Sequence, residues 1–404
     1  MCCCCCPPAI NALFYLWVRS GFSKGTVAGA LTFFPPDPPL YTFQRVDKDG
    51  RDLPDDDDDA VDDDNSGDEA DLPDVPDDDD SELGTFEIDT TSSRKQSNGD
   101  NSNNSNAINN RRQPDGQETA QRQQSQDPIA AMTERSAKLR KRAKHRALKD
   151  ATDASSQITY RFLPDLQTLG PLPTYHGTIT ALKIGPQPKT QSYIAALLYQ
   201  LPSSEITPHT KTILYSHGNA TDIGAMSILQ CLISKSCNCN VLVYDYSGYG
   251  SSGGVPMEKN TYRDIKLVYQ WVVQNITHHE HQVILYGQSV GSGPSCYLAS
   301  KRQNIGGLIL HSPFTSGMRV LTPSRMLACL DIFPNIDRIQ KVTCPTFIIH
   351  GKKDVEVPME HGLALYKNLK EEYRYEPWWV EGKGHNDICD GREGVKEYLG
   401  RLDG

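Results

Sequence analysis

The sequence lacks a hydrophobic run long enough to cross a bilayer. Its longest apolar stretch, residues 9–18, has ten residues, whereas a transmembrane helix needs about 20. No Lys or Arg precedes this stretch, so it fits a secretory signal peptide poorly. We therefore expect a protein without a transmembrane helix.

The sequence also lacks the spaced cysteines of a disulfide-bonded fold, although the chain has 12 cysteines. Five cysteines are consecutive: Cys2, Cys3, Cys4, Cys5 and Cys6. Adjacent cysteines cannot form disulfide bonds that cross-link distant parts of a fold. The other seven lie among apolar residues, where we expect reduced thiols. These are Cys231, Cys237, Cys239, Cys296, Cys329, Cys344 and Cys389. The Cys237–Cys239 pair has no second ligand pair, so we expect no metal site.

The formal charge of −10 is concentrated in one part of the chain. Residues 47–100 contain 23 Asp or Glu and 4 Lys or Arg. We predict a disordered, acidic and polar linker over residues 45–156, since such a composition buries too little apolar surface to fold. Within it, residues 133–150 contain eight Lys or Arg. They indicate a helix that meets anionic lipid, one that stays solvated, or one that pairs with the acidic linker.

Residues 157–404 have the pattern of an α/β-hydrolase-type catalytic domain. Short apolar strands alternate with helical stretches, which predicts a mostly parallel, doubly wound sheet. We expect residues 178–185 and 191–199 to form an antiparallel hairpin at one edge. The remaining predicted strands are 212–217, 240–246, 282–287, 306–312 and 345–351, and the predicted helices lie at about 221–236, 259–275, 290–301 and 359–370.

A G-x-S-x-G pattern occurs twice, around Ser289 and around Ser252. A nucleophilic serine of this fold lies on a tight turn between a strand and a helix. Ser289 follows a predicted strand directly and precedes a helical stretch. Ser252 follows a Gly-rich loop and is soon followed by Pro256, so we choose Ser289 as nucleophile.

A serine hydroxyl needs a base, and in this fold a histidine late in the chain supplies it. His385 lies in a Gly-rich loop just after the strand-like residues 376–380, so we choose it. The alternatives are less suited: His311 and His350 end apolar strands, and His361 lies in a helical stretch.

The acid that orients the base should follow the preceding strand. Asp354 lies three residues beyond Gly351, at the carboxyl end of the strand 345–351. No clear strand precedes the rivals Asp331 and Asp337. Asp387, beside His385, is better suited to shaping that loop.

Two backbone N–H groups should bind the oxyanion of the transition state. One is expected from Val290, directly after the nucleophile. The other is expected from the loop 217–222, with Asn219 as the first choice and Ala220 as the second.

Six blocks in order resemble one family: SHGNATD, YDYSGYG, LYGQSVG, LHSPFTSGMRV, IHGKKD and VEGKGHND. They are similar to the α/β-hydrolase domain-containing protein 17 family, whose members are depalmitoylases. The resemblance also covers the cysteine cluster and the Pro-rich residues 33–43. It implies that Cys2–Cys6 are S-acylated and that residues 1–44 anchor the protein to the cytoplasmic face of plasma or endosomal membranes.

The predicted function is removal of S-acyl chains from membrane-associated proteins through an acyl-enzyme on Ser289. The expected partners are S-acylated proteins and membrane lipid, with no nucleic acid and no cofactor. A lipid or small-ester esterase is the alternative, because the same serine site would serve both. A non-catalytic scaffold is a third possibility, which the presence of Ser289, Asp354 and His385 together disfavours.

Overall fold

The computed structural model describes residues 32–53, 158–187, 191–321 and 331–403, together with the single positions 143, 146, 150 and 153. The cysteines at positions 2–6 and Cys329 lie outside these residues. So does most of the predicted linker.

One ten-stranded sheet organises the described chain. Its order is β1-β2-β3-β4-β6-β5-β7-β8-β9-β10. The neighbours from β1 to β4, and the pair β4 and β6, are antiparallel, and all pairs from β6 to β10 are parallel. The strands are β1 Tyr41–Val46, β2 Thr159–Pro164, β3 Thr178–Ile184, β4 Ile194–Gln200, β5 Thr212–Ser216, β6 Asn240–Tyr244, β7 Val283–Gln288, β8 Gly307–His311, β9 Thr346–Gly351 and β10 Trp378–Val380.

Helices cover both faces of this sheet. They are α1 Leu166–Leu169, α2 Ser227–Ser236, α3 Glu258–Val272, α4 Ser292–Lys301, α5 Gly317–Leu321, α6 Asn335–Arg338, α7 Glu360–Asn368 and α8 Gly391–Asp403. None of these helices, within the described ranges, is both long and apolar enough to cross a membrane.

Two hydrophobic cores explain the near-continuous apolar strands. Leu242 and Tyr244 of β6 belong to the core that contains residues of α3, α4 and α7. Val241 and Val243 belong to the opposite core, with residues of α2 and α8. Because successive side chains of a strand point to opposite faces, both sets must be apolar. This is the predicted α/β-hydrolase fold, with a mostly parallel, doubly wound sheet.

The amino-terminal part of the sheet differs from the prediction. The β3–β4 pair is antiparallel as expected, but it does not form the edge, because β2 and then β1 continue the sheet. Strand β1 crosses the predicted boundary between residues 44 and 45. Tyr41 and Val46 are its buried ends, so this strand belongs to the folded domain.

Three described residues of the predicted linker also contact the folded domain. Arg146 donates to the carbonyl oxygens of Gly250 and Ser252 at 2.8 and 3.1 Å. Asp150 is buried and lies 3.0 Å from the ammonium of Lys183. Asp153 is buried as well and binds a guanidinium nitrogen of Arg45 at 2.6 Å. At these positions the structure differs from the linker predicted over residues 45–156. Charged partners on the sheet, Lys183 and Arg45, compensate the burial of Asp150 and Asp153.

Candidate active site

Ser289 lies on a strained turn at the carboxyl end of β7. It adopts φ +50°, a left-handed conformation that is uncommon for a residue with a side chain. A short 3₁₀ turn, Ser289–Gly291, leads from there into α4. A Cβ atom on Gly291 would lie closer than 3.0 Å to the carbonyl oxygen of Ser216, and one on Gly287 would clash with that of Gly291. Both glycines of the motif are thus required by close backbone approach.

The three residues chosen from sequence meet at this turn. His385 Nε2 lies 2.9 Å from Ser289 Oγ, and His385 Nδ1 lies 2.7 Å from Asp354 Oδ2. Asp354 and His385 come from the loops that follow β9 and β10, at the same edge of the parallel strands. The imidazole is therefore positioned to accept the serine proton while the carboxylate fixes its tautomer and stabilises its charged form.

Asp354 is held as a carboxylate by several donors. Burial acts to raise its pKa, but hydrogen bonds from His350, His385 and the Val357 N–H outweigh burial and leave the pKa below its ordinary value. The N–H groups of Glu356 and Val357 donate to Oδ1 at 3.0 and 2.8 Å. The second oxygen is left for the histidines.

The His385 loop is shaped by its own neighbours. Asp387 Oδ1 accepts from the Gly384 N–H at 2.6 Å, which agrees with the loop-shaping role expected for it. Gly384 also approaches Gly351 so closely that a Cβ on Gly351 would clash with the Gly384 carbonyl oxygen. The two loops therefore hold His385 over β9.

Two rejected histidines have other partners. His311 is buried, bonds the Tyr286 hydroxyl through Nδ1 at 2.9 Å, and has a pKa lowered to about 3, chiefly by burial and then by the charges of His385 and His350. His361 Nδ1 pairs with Thr315. Each of these contacts gives the side chain a packing or structural role.

Ser252 is fully buried, and its hydroxyl forms hydrogen bonds with two backbone groups. Its hydroxyl donates to the Asp245 carbonyl oxygen and accepts from the Ala195 N–H, both at 2.8 Å. Its oxygen is therefore committed to hydrogen bonds between β4 and the loop after β6.

Of the two predicted oxyanion donors, Val290 follows Ser289 directly in the chain, and Asn219 follows a glycine that lies near Ser289. Val290 is in the first turn after the nucleophile, where N–H groups have no partner within the helix. Gly218, just before Asn219, is so close that an added Cβ would lie 3.9 Å from Ser289 Cβ. The second-choice donor, Ala220, instead donates its N–H to Asn219 Oδ1 at 2.9 Å. Sequence reasoning gave no indication of what holds this loop: Thr32, Phe34 and Tyr249.

No cluster of three or more His, Cys, Asp or Glu side chains suited to a metal ion occurs among the described residues. The chemistry that this geometry can support at Ser289 is nucleophilic attack on an acyl carbon, with His385 as base.

One family model and several solved structures match parts of this chain. The family model described as serine aminopeptidase, S33 (Hydrolase_4) matches residues 207–336. The solved structure of the Pyrococcus furiosus esterase Pf2001 is 18% identical and covers 57% of this chain and 94% of its own, with a TM-score of 0.44. The structure titled "Ferulic Acid bound to Est1E", from Butyrivibrio proteoclasticus, is 17% identical and covers 55% of this chain and 96% of its own, with a TM-score of 0.45.

Curated relatives are much more similar in sequence. The human alpha/beta hydrolase domain-containing protein 17B is 46% identical over 198 residues, which are 48% of this chain and 66% of the relative. The mouse protein 17C is 46% identical over 192 residues, 47% of this chain and 58% of the relative. The chain thus spans 66% and 58% of the length of these two relatives, less than two thirds of each. On these identities, the chain is similar to the α/β-hydrolase domain-containing protein 17 family, and its sheet has the order and strand directions of an α/β-hydrolase.

Proposed function

We propose that this protein is a serine hydrolase that removes S-acyl chains from cysteines of membrane-associated proteins. The observation that carries the proposal is the continuous hydrogen-bonded series from Asp354 through His385 to Ser289, with heavy-atom distances of 2.7 and 2.9 Å. Such a series on a strand-to-helix turn is the arrangement that activates a serine for acyl transfer.

The reaction proceeds in two stages. Ser289 Oγ attacks the thioester carbonyl as its proton passes to His385 Nε2. The C–S bond then breaks, and the leaving sulfur takes that proton from His385, so that the substrate cysteine departs as a thiol. His385, neutral again, takes a proton from water as the water attacks the acyl-enzyme, and it returns this proton to Ser289 Oγ as the fatty acid leaves. A cysteine thiol, whose ordinary pKa is about 8.5, is a good leaving group, so the second stage limits turnover.

Attachment to a membrane follows from the cysteines at positions 2–6. A single acyl chain binds a bilayer only marginally, whereas two or more hold a protein firmly. Several acylated cysteines would place the enzyme on the cytoplasmic membrane surface that its S-acylated substrates occupy, which raises their effective concentration.

The test compares two acyl peptides that differ in one atom. Purified full-length protein is incubated with an S-palmitoyl cysteine peptide and with the matching O-palmitoyl serine peptide. We expect release of palmitate from the thioester at least tenfold faster, and none with Ser289→Ala. Faster cleavage of the oxygen ester would favour an esterase, and palmitate release that survives Ser289→Ala would refute the mechanism.

A further inference from the structure

The side chain of Asn219 joins three separate parts of the chain. Its Oδ1 accepts from the Phe34 N–H at 3.0 Å, from the Tyr249 hydroxyl at 2.8 Å and from the Ala220 N–H at 2.9 Å. Its Nδ2 donates to the Thr32 carbonyl oxygen at 2.6 Å. Both ends of the amide are thus used, and two of the four contacts reach backbone groups 185 and 187 residues away.

This junction lies directly beside the nucleophile. Asn219 follows Gly218, where an added Cβ would lie 3.9 Å from Ser289 Cβ. Ala220 adopts a left-handed φ of +52°, a strained conformation for a residue with a Cβ. The hydrogen bond from Ala220 to Asn219 Oδ1 stabilises that turn and orients the preceding peptide groups.

The segment Thr32–Phe34 is itself fixed on the domain. Phe33 is buried, with its ring edge-on to Tyr249 at 6.3 Å and to Phe333 at 6.1 Å between centroids. The Phe34 N–H also reaches the Tyr249 hydroxyl at 3.1 Å. Farther along, the Leu40 N–H donates to Asp222 Oδ2 at 2.7 Å. The loop after β5 is thereby bound at two points by residues that precede the first strand.

We propose that Thr32–Phe34 and Tyr249 are positioning elements that hold the Asn219 backbone N–H toward the transition-state oxyanion. The inference rests on the proposed serine hydrolase function and adds a structural requirement to it. Residues outside the strand–helix core, at the amino-terminal side of β1, are then part of what makes Ser289 reactive. Their effect belongs to the transition state, because the oxyanion forms only there.

The first test is Tyr249→Phe in the full-length protein, with p-nitrophenyl butyrate as a small soluble substrate. The change removes one hydroxyl and keeps the ring against Phe33. We expect kcat to fall about tenfold while KM changes less than twofold, because a shift of the order of 1 Å in a catalytic group costs up to about 100-fold. The matched control is Tyr199→Phe, since the buried Tyr199 hydroxyl has no hydrogen-bond partner in the described structure. The control should retain full activity.

The second test is Asn219→Ala, which removes all four contacts but keeps the backbone N–H. We expect a fall in kcat at least as large as in Tyr249→Phe, and a double variant that is no slower than Asn219→Ala alone, since both act on one junction. Unchanged kcat in folded Asn219→Ala or Tyr249→Phe would overturn the proposal, as would a rise in KM at constant kcat. Wild-type protein that cleaves the butyrate ester but not acyl peptides would contradict only the proposed substrate.

Discussion

His350 shares one carboxylate oxygen with His385. Its Nε2 lies 3.3 Å from Asp354 Oδ2, the atom that His385 Nδ1 approaches at 2.7 Å. The same Nε2 lies 2.8 Å from the Val357 carbonyl oxygen, which can only accept, so His350 carries its proton on Nε2. Asp354 is therefore clamped from both sides, and its position relative to His385 is fixed by β9 and the turn after it.

Asp354→Asn is expected to lower kcat by about two to four orders of magnitude without unfolding the protein. The amide cannot stabilise the charged imidazole and favours the wrong tautomer of His385. Turnover of a soluble thioester and circular dichroism measure the two effects. Asp337→Asn and Asp331→Asn serve as controls with normal turnover, and an inactive control beside an active Asp354→Asn would show that the acid is misassigned.

Ser252→Ala is expected to separate stability from activity. It leaves the Ala195 N–H and the Asp245 carbonyl oxygen without their shared hydroxyl, which costs about 1–3 kcal/mol of the free energy of unfolding. Labelling by a fluorophosphonate should persist, whereas Ser289→Ala should abolish it. Loss of labelling in a folded Ser252→Ala protein would contradict the choice of Ser289.

The buried carboxyl of Asp264 should make stability depend on pH. Burial raises its pKa from 3.8 to about 7, against hydrogen bonds from Ser247 and Gln187 that lower it. A raised pKa means that the folded state binds the proton more tightly, so the contribution to stability is greatest below about pH 4 and is lost as pH rises to about 7. Between these pH values, the free energy of unfolding of wild type should fall by about 2–4 kcal/mol relative to that of Asp264→Asn.

Chemical denaturation of both proteins at about pH 4.5, 6 and 8 measures this difference. Asp337→Asn removes an exposed acid. Its free energy of unfolding should differ from that of wild type by the same amount at all three pH values. If the difference in free energy of unfolding between wild type and Asp264→Asn were also independent of pH, the Asp264 carboxyl would have an ordinary pKa in the folded protein.

Replacement of Cys2–Cys6 by Ser is expected to release the protein from membranes. Turnover of a small soluble thioester should stay normal, because these residues take no part in the chemistry. Hydrolysis of membrane-bound acyl-proteins should fall, since enzyme and substrate no longer share a surface. Fractionation and the two assays check this, and a variant that stays on membranes would exclude the cysteines as the attachment.

The convergence of Ser289, Asp354 and His385 could be predicted because each follows a local signal. Ser289 lies between a strand and a helix, and Asp354 and His385 lie in polar, Gly-containing loops just past apolar strands. Their convergence follows from the rule that parallel strands present their carboxyl ends at one edge.

Long-range pairings had no such signal. Strand β1 is short, lies between a Pro-rich segment and an acidic run, and finds its partner β2 far along the chain. Arg146, Asp150 and Asp153 have the spacing of residues on one helix face. The composition of the surrounding segment is polar throughout, so composition alone does not distinguish these three residues from their neighbours. The role of Asn219 depends on Thr32 and Phe34, which offer only backbone groups and so leave no trace in residue type.

The pairing of Val46 with Thr159 at the end of the β1–β2 ladder means that the chain departs from the sheet and returns to it at neighbouring points. For a flexible connection, the entropy of closing such a loop grows only with the logarithm of its length, by about 0.6 kcal/mol per doubling. If residues 57–125 form the disordered linker predicted from the sequence, deleting them should change the free energy of unfolding by no more than about 1 kcal/mol, as measured by denaturant titration. In that case the connection between β1 and β2 would be a site where evolution can lengthen, shorten or exchange sequence with little effect on the stability of the hydrolase domain.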